Sequence, residues 1–224
     1  MSNHPYAGAR VAWIGDSMSA YERVEPDGRD YSSSYVIRAI TTLGGEVAGN
    51  HAIGGSMIAQ METEPDRRDP MVARYAAMPD DADLVIVAGG ANDIGHALTP
   101  FGTPDDRTPH TFRGALHLLC EGLRHQYVGR QMLFVTPLRR YLASAGMTTP
   151  HAPNAIGRTP VEYVDAIIDT CAEWGIPVLD QYRTSILNPF VEGYREQYMT
   201  DGTHPNAAGH EIMATRLVNF LSQL

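Results

Sequence analysis

Two short polar segments at opposite ends of the chain contain the residue types needed for nucleophilic chemistry. Gly15-Asp16-Ser17 directly follows an apolar, β-forming run at residues 10–14. A serine at a strand-to-helix turn lies near the unpaired N–H groups of the helix start. Capping that helix is the commoner role for a serine in this position, so the tripeptide alone does not establish a nucleophile.

The second segment, Asp201-Gly202-Thr203-His204-Pro205, contains the groups that activate a serine hydroxyl. A neutral imidazole takes the hydroxyl proton, and a carboxylate fixes the tautomer and orientation of the ring. An aspartate three residues before a histidine, across one tight turn, can place both side chains at the same edge of a domain. Taken alone, the segment also fits an ordinary helix cap followed by proline.

Two glycine-containing segments could stabilise negative charge near such a serine. Asn92, in the run GGAND at residues 89–93, can direct a neutral amide donor at a bound oxygen. A fixed donor of this kind typically contributes about 3–4 kcal/mol to transition-state stabilisation. A glycine-rich turn with a left-handed asparagine explains that run equally well in isolation. Gly54 and Gly55 follow another short strand, and either could supply a backbone N–H.

Alternating strands and helices must position these segments. Apolar and β-branched runs predict strands at residues 10–14, 46–50, 84–88, 132–136 and 177–179. Helical periodicity predicts helices at residues 35–43, 58–78 (interrupted by two prolines), 112–123, 161–171 and from about 206. This alternation predicts a parallel sheet with helices on both faces. Residues 94–109 and 138–159 lack periodicity, follow strands and are therefore assigned to substrate binding.

Together the four segments resemble the block pattern of the SGNH hydrolase superfamily, also called GDSL esterases and lipases. The blocks are GDS at 15–17, a glycine at Gly55, GxND at 90–93 and DxxH at 201–204, in family order over almost the whole chain. Met18 replaces the family's leucine, which nearly conserves volume. The resemblance implies one domain spanning residues 1–224, with a flavodoxin-like, three-layer α/β/α fold and a mostly parallel five-stranded sheet.

The resemblance also implies the roles of individual residues. Ser17 would be the nucleophile, His204 the general base and Asp201 its orienting carboxylate. The backbone amides of Ser17 and Gly55, with the Asn92 side chain, would form the oxyanion hole, although Gly54 fits the same turn as Gly55. These roles predict a serine esterase whose substrates are small molecules, namely short-chain acyl or O-acetyl esters. The reaction would require no cofactor and no metal.

Two other functions use the same residues or the same fold. An acyltransferase would pass the acyl group to a sugar or thiol instead of water, and the sequence does not separate this from hydrolysis. A non-catalytic binding module would keep the fold, but here every triad and oxyanion position is filled. The sequence predicts no oligomeric state, and it leaves open whether the ester is a lipid or a sugar ester.

Composition excludes several classes of function. The net charge of −9 argues against nucleic acid as a partner. All 17 basic residues are arginine, so Schiff-base chemistry, pyridoxal phosphate anchoring and a P-loop lysine are excluded. No apolar stretch is long enough to cross a bilayer. Because the first ten residues are polar and lack a secretory signal pattern, we expect a cytoplasmic protein.

The remaining reactive residue types have ordinary interpretations. Cys120 and Cys171 lie on apolar helix faces and are expected to be buried free thiols. His210-Glu211 begins a zinc-protease signature, but Ala214 stands where the second histidine belongs. Arg139 and Arg140 follow a strand and could meet an anionic group, although solvated surface positions are the more common outcome for arginine.

Overall fold

One parallel sheet of five strands organises the molecule. The computed structural model describes residues 4–20 and 34–224, so the first three residues of the polar N-terminal segment lie outside it. The sheet order is β2-β1-β3-β4-β5, with every pairing parallel. The strands are β1 (Arg10–Gly15), β2 (Glu46–Ala52), β3 (Leu84–Ala88), β4 (Gln131–Val135) and β5 (Val178–Leu179). All five predicted strands are confirmed.

Helices lie between the strands and after the last of them. In the described part of the chain the α-helices are α1 (Tyr35–Leu43), α2 (Met71–Arg74), α3 (Ala91–His96), α4 (Phe112–Gln126), α5 (Pro160–Glu173), α6 (Gln181–Thr184), α7 (Tyr194–Tyr198) and α8 (Ala207–Leu221). Short 3₁₀ turns occur at Tyr75–Ala77 and Ala143–Ala145. None of the described helices is long and apolar enough to cross a membrane.

Alternation along the strands divides the core into two layers. In β1, Val11 and Trp13 contribute to one apolar cluster, whereas Ala12 and Ile14 contribute to the other. Helices α1 and α8 cover the first cluster and pack against each other, and α4 and α5 do the same over the second. Successive residues of a strand point to opposite faces, so a sheet covered on both sides needs a continuous apolar run. The predicted three-layer α/β/α architecture is confirmed.

The strand order places the site-forming segments together. Strand β1 has β2 on one side and β3 on the other, so the chain leaves β1 at the point where the strand order reverses. In open parallel sheets the crevice beyond the strand ends at this point is the usual ligand site. Ser17 follows β1, Gly55 follows β2 and Asn92 follows β3.

The predicted helix at 58–78 is mostly wrong. Only α2 and the 3₁₀ turn after it are helical, and residues 58–70 form bends and turns. Two prolines interrupt the segment, and the backbone amides of Ile58 and Ala59 bind the Asp93 carboxylate instead of helical carbonyls. The short helices α3, α6 and α7 were not predicted, because each spans too few turns to establish a periodic pattern.

The two cysteines and the first-strand tryptophan lie where they were expected. Cys120 in α4 and Cys171 in α5 are buried free thiols at the contact between these helices. Trp13 is fully buried and donates its indole N–H to the carbonyl of Ser19, 3.1 Å away. Because Ser19 follows the Gly15-Asp16-Ser17 turn, this bond fixes the turn against the core.

Candidate active site

A continuous chain of hydrogen bonds joins the serine, histidine and aspartate. The Ser17 Oγ lies 2.9 Å from His204 Nε2. The His204 Nδ1 lies 2.7 Å from Asp201 Oδ2. The serine and the histidine are separated by 187 positions in the sequence, so only the fold can bring them into contact. With Nδ1–H directed at the carboxylate, Nε2 is left as the acceptor for the serine hydroxyl proton.

The turn that carries Ser17 has little room for variation. A Cβ on Gly15 would lie 2.0 Å from the Ser19 Oγ and 2.9 Å from the Ala88 carbonyl oxygen, so only glycine fits. The Asp16 carboxylate accepts the Met18 amide at 3.0 Å, and Met18 itself is buried against the α1–α8 side of the sheet. These contacts hold Ser17, the candidate nucleophile, on a rigid strand end.

The aspartate is built to remain ionised beside the histidine. Its second oxygen, Oδ1, accepts the backbone amides of Thr203 and His204 at 2.9 and 2.7 Å. Partial burial opposes ionisation, but the hydrogen bonds from the His204 ring and these amides outweigh burial and hold the pKa of Asp201 well below its ordinary value. Asp201 therefore stabilises a positive His204 ring at any ordinary pH.

The predicted oxyanion residues lie in two segments that the structure connects. The Asn92 Nδ2 donates one hydrogen bond to the Ser56 carbonyl at 2.9 Å, which leaves its second N–H available. Gly55 precedes Ser56 and has φ +81°, whereas the φ of Gly54 is not positive. No hydrogen-bond partner for the backbone N–H of Ser17 or of Gly55 is present in residues 4–20 and 34–224.

Asp93, the last residue of the GxND block, anchors the segment that follows Ser56. Its buried carboxylate accepts the amides of Ile58 and Ala59 at 2.9 and 3.0 Å. These amides begin just after Ser56, so Asp93 anchors the segment to which Asn92 is bonded. Burial raises the pKa of Asp93 to about 6, against the effect of these hydrogen bonds.

Arg74, at the end of α2, is a positioning residue that the sequence analysis missed. Its guanidinium donates to the carbonyls of His51 and Gly15 and to the Ser56 Oγ, with distances of 3.1 and 2.8 Å to the last two. One side chain thus ties the ends of β1 and β2 to the turn that contains Gly55. No sequence signal could have identified it, because all three partners are distant in the chain.

A buried carboxylate, that of Asp16, directly precedes Ser17 in the chain. Burial raises the pKa of Asp16 to about 6, although the Met18 amide and the positive charges of Arg140, His204 and Arg74 favour its ionised form. Asp16 therefore binds its proton more tightly in the folded chain than in the unfolded chain, where its pKa is near 3.9. The folded state loses stability as pH rises from about 4 to 6 and Asp16 ionises.

We therefore expect Asp16→Asn to remove part of this pH dependence. The free energy of unfolding of the wild type should fall, relative to that of the variant, by up to about 3 kcal/mol between pH 4 and pH 7. Urea denaturation at a series of pH values measures the difference, with the exposed Asp66→Asn as the matched control. If the free energy of unfolding changes with pH in the same way for wild type and Asp16→Asn, then Asp16 has the same pKa in the folded and unfolded chains, which contradicts the prediction.

The expectation of two solvated surface arginines after β4 is wrong. Arg139 stacks over the ring of Tyr182, with its Cζ 5.4 Å from the ring centroid. Arg140 has a buried Nη2, and both Asp16 and Asp201 act on its charge. The cause is the course of residues 138–147, which bind the histidine loop through a hydrogen bond from the Tyr141 amide to the Gly202 carbonyl at 2.9 Å.

Comparisons with solved structures support the fold over nearly the whole chain. A protein from Lactobacillus plantarum shares 31% sequence identity, with 97% of this chain and 98% of that one covered and a TM-score of 0.84. A lipase/acylhydrolase from Enterococcus faecalis matches at 19% identity, 96% coverage of both chains and a TM-score of 0.65.

A family two carbohydrate esterase from Clostridium thermocellum, solved in complex with cellohexaose, matches with a TM-score of 0.60. The identity is 15%, and the match covers 96% of this chain and 64% of that one. No curated protein sequence matches the chain. The model of the GDSL-like lipase/acylhydrolase family matches residues 13–212, which include all four sequence blocks. The chain therefore belongs to the GDSL-like lipase/acylhydrolase family, a family of hydrolases.

Proposed function

We propose that the protein hydrolyses carboxylic esters through an acyl-enzyme on Ser17. The observation that carries the proposal is the hydrogen-bonded series from Ser17 Oγ through the His204 ring to the Asp201 carboxylate. Its order and distances are those that nucleophilic catalysis by serine requires. The substrates are small-molecule esters with short acyl or O-acetyl groups, and the chemistry needs no metal and no cofactor.

In the acylation half-reaction, Ser17 Oγ attacks the ester carbonyl carbon while His204 Nε2 removes the hydroxyl proton. Asp201 stabilises the imidazolium that forms. The carbonyl oxygen becomes an oxyanion, and we assign its donors to the backbone N–H groups of Ser17 and Gly55 and to the Asn92 amide. These two backbone groups have no competing acceptor in the described ranges, so they are available to the substrate.

The intermediate then collapses and breaks the bond to the alcohol, which leaves with the proton from His204. In the second half-reaction water attacks the acyl-enzyme, and His204 removes a proton from that water. The second collapse releases the carboxylic acid and returns the proton to Ser17 Oγ. His204 thus acts alternately as base and acid, so one ester and one water give one acid and one alcohol.

Product analysis separates hydrolysis from acyl transfer. We expect p-nitrophenyl acetate and p-nitrophenyl butyrate to be cleaved, with the acyl group recovered as free acid in a yield equal to that of p-nitrophenol. Added glycerol, glucose or a small thiol should divert only a minor fraction of the acyl group. If most of the acyl group is transferred to one of these acceptors, the protein is an acyltransferase and the proposed hydrolysis is wrong. If no ester of the panel is cleaved, both activities are contradicted.

A further inference from the structure

Two arginines near the candidate site differ from the other arginines of the described chain. Elsewhere each arginine forms at least a hydrogen bond, an ion pair or a contact with an aromatic ring; Arg10 with Asp81, Arg130 with Asp83 and Arg158 with Glu162 are examples. For Arg68 and Arg140, residues 4–20 and 34–224 supply no such contact. In a chain with a net charge of −9, two guanidinium groups in one region without a hydrogen bond or ion pair require an explanation.

Arg140 lies beside the segment that contains Asn92. A Cβ on Gly95 would overlap the Arg140 Nη2, so the guanidinium lies directly against α3, three residues after Asn92. This Nη2 is buried and has no hydrogen-bond partner. The side chain also borders a small space lined by Leu138 and Phe190, and such apolar surroundings strengthen electrostatic interactions.

Arg68 lies beside the other predicted oxyanion segment. Its Nη1 is 3.3 Å from the place that a Cβ on Gly55 would occupy. The backbone there is unusual, because Arg68 and Asp69 have φ values of +67° and +42°, which non-glycine residues rarely adopt. The Met57 amide holds this turn through a hydrogen bond of 3.1 Å to the Arg68 carbonyl.

His96, the last residue of α3, is affected by the charges of both arginines. Burial lowers the pKa of His96, and the positive charges of Arg68 and Arg140 lower it further, together with that of Arg67. The charges of both guanidinium groups therefore act on this one imidazole. Arg67 is paired with Glu64, so its charge is compensated.

The acidic groups near Arg140 do not satisfy it. Asp16 and Asp201 attract its charge, but neither forms a hydrogen bond with it. The Asp16 Oδ1 binds the Met18 amide, and both Asp201 oxygens bind the His204 ring or backbone amides. The Arg140 Nη2 thus has no acceptor among the described residues.

We propose that Arg68 and Arg140 form an anion subsite beside the oxyanion hole, and that the natural ester carries a carboxylate or phosphate group close to its scissile bond. Guanidinium groups bind the paired oxygens of such anions through two parallel hydrogen bonds. Because one arginine borders Gly55 and the other borders α3, the anion would lie within a few bonds of the ester carbonyl. The inference rests on the proposed ester hydrolysis and specifies its substrate class.

Matched ester pairs test the preference directly. Monoethyl glutarate and ethyl 5-oxohexanoate have similar shapes, but only the first has a charged acyl part; acetoxyacetate and acetoxyacetone form the equivalent pair for the alcohol part. We expect the wild type to favour the anionic member of one pair by at least about 10-fold in kcat/KM, since hydrogen bonds to charged groups are the strong ones. That ratio should decrease at high salt, which screens accessible charges.

Substitutions then assign the preference to the two arginines. Arg140→Gln and Arg68→Gln should each lower the anionic-to-neutral ratio about 10- to 100-fold, mainly through KM, and Arg140→Lys should restore part of it. Arg139→Gln is the matched control, because Arg139 is stacked on Tyr182, and it should keep the wild-type ratio. Equal ratios in wild type, Arg140→Gln and Arg68→Gln would overturn the inference.

Calorimetric titration with glutarate and with inorganic phosphate provides a readout independent of turnover. We expect at least one of these anions to bind the wild type and to bind Arg68→Gln more weakly. Cleavage of neutral esters with neither anion preference nor anion binding would reject the subsite and leave the proposed hydrolysis intact. Anion binding that depends on Arg68 and Arg140, in a protein that cleaves no ester, would keep the subsite and reject the hydrolysis. If Arg140→Gln does not fold, the anion preference and anion binding of Arg68→Gln decide whether the subsite exists.

Discussion

Replacement of Ser17 by alanine should leave less than about a thousandth of the wild-type kcat/KM for p-nitrophenyl acetate. In the proposed mechanism the substitution removes the atom that forms the acyl-enzyme, and the His204 ring then has no serine proton to accept. Residual rate over the uncatalysed reaction should remain, because the oxyanion donors and the binding site are unchanged.

The fold should survive this change, which makes the loss interpretable. Ser17 Oγ has its described hydrogen bond only with His204, and Gly15 and the Asp16 carboxylate fix the turn. Circular dichroism and the thermal midpoint should therefore match those of the wild type. Ser222→Ala, far from the site in the last turn of the chain, is the control and should remain fully active. Retention of more than a thousandth of the wild-type rate by Ser17→Ala would remove Ser17 as nucleophile.

Replacement of Asn92 by alanine should lower kcat about 100- to 1,000-fold, with a smaller change in KM. In the proposed mechanism the second N–H of the Asn92 amide meets negative charge that is absent from the bound ester and develops in the transition state, so its loss affects kcat more than binding. The first N–H holds the Ser56 carbonyl, which is why the side chain is already oriented before substrate arrives.

The separation of kcat from KM distinguishes this role from a structural one. A general loosening of the site would raise KM and lower the thermal midpoint, whereas a missing oxyanion donor lowers kcat in a folded protein. The exposed Asn219→Ala serves as the matched asparagine control. An unchanged kcat in Asn92→Ala would exclude this residue from the oxyanion hole.

Sequence reasoning predicted the fold, and the meeting of Ser17, His204 and Asp201 at one site, for a physical reason. Strands such as β3 are buried on both faces and therefore read as uninterrupted apolar runs. The segments of Ser17, Gly55 and Asn92 follow strands, so their positions at the sheet edge could be inferred from the alternation. The long helices α4, α5 and α8 have one apolar face each, and that periodicity made them predictable.

The contacts that hold the site were beyond sequence reasoning, because they join parts of the chain with no common pattern. The Asp93 carboxylate accepts the backbone N–H groups of Ile58 and Ala59, which in a helix would bind backbone carbonyls. The segment is therefore not helical at these residues, although its apolar residues have helical periodicity. Arg74 and Arg140 resemble any other arginine in the sequence. Only the folded chain shows that Arg74 binds the ends of β1 and β2 and the turn that contains Gly55. Likewise, only the folded chain shows that Arg140 has a buried nitrogen without a hydrogen-bond partner.

Mass spectrometry of the protein after reaction with a fluorophosphonate tests the central claim most directly. Such a probe forms a stable covalent bond with a serine that a neighbouring histidine activates. We predict one added phosphonyl group per chain, located on the peptide that contains Ser17, and no labelling of Ser17→Ala. Labelling of a different residue, or continued ester turnover by a protein whose Ser17 stays unlabelled, would contradict the assignment of Ser17, His204 and Asp201 as the catalytic residues.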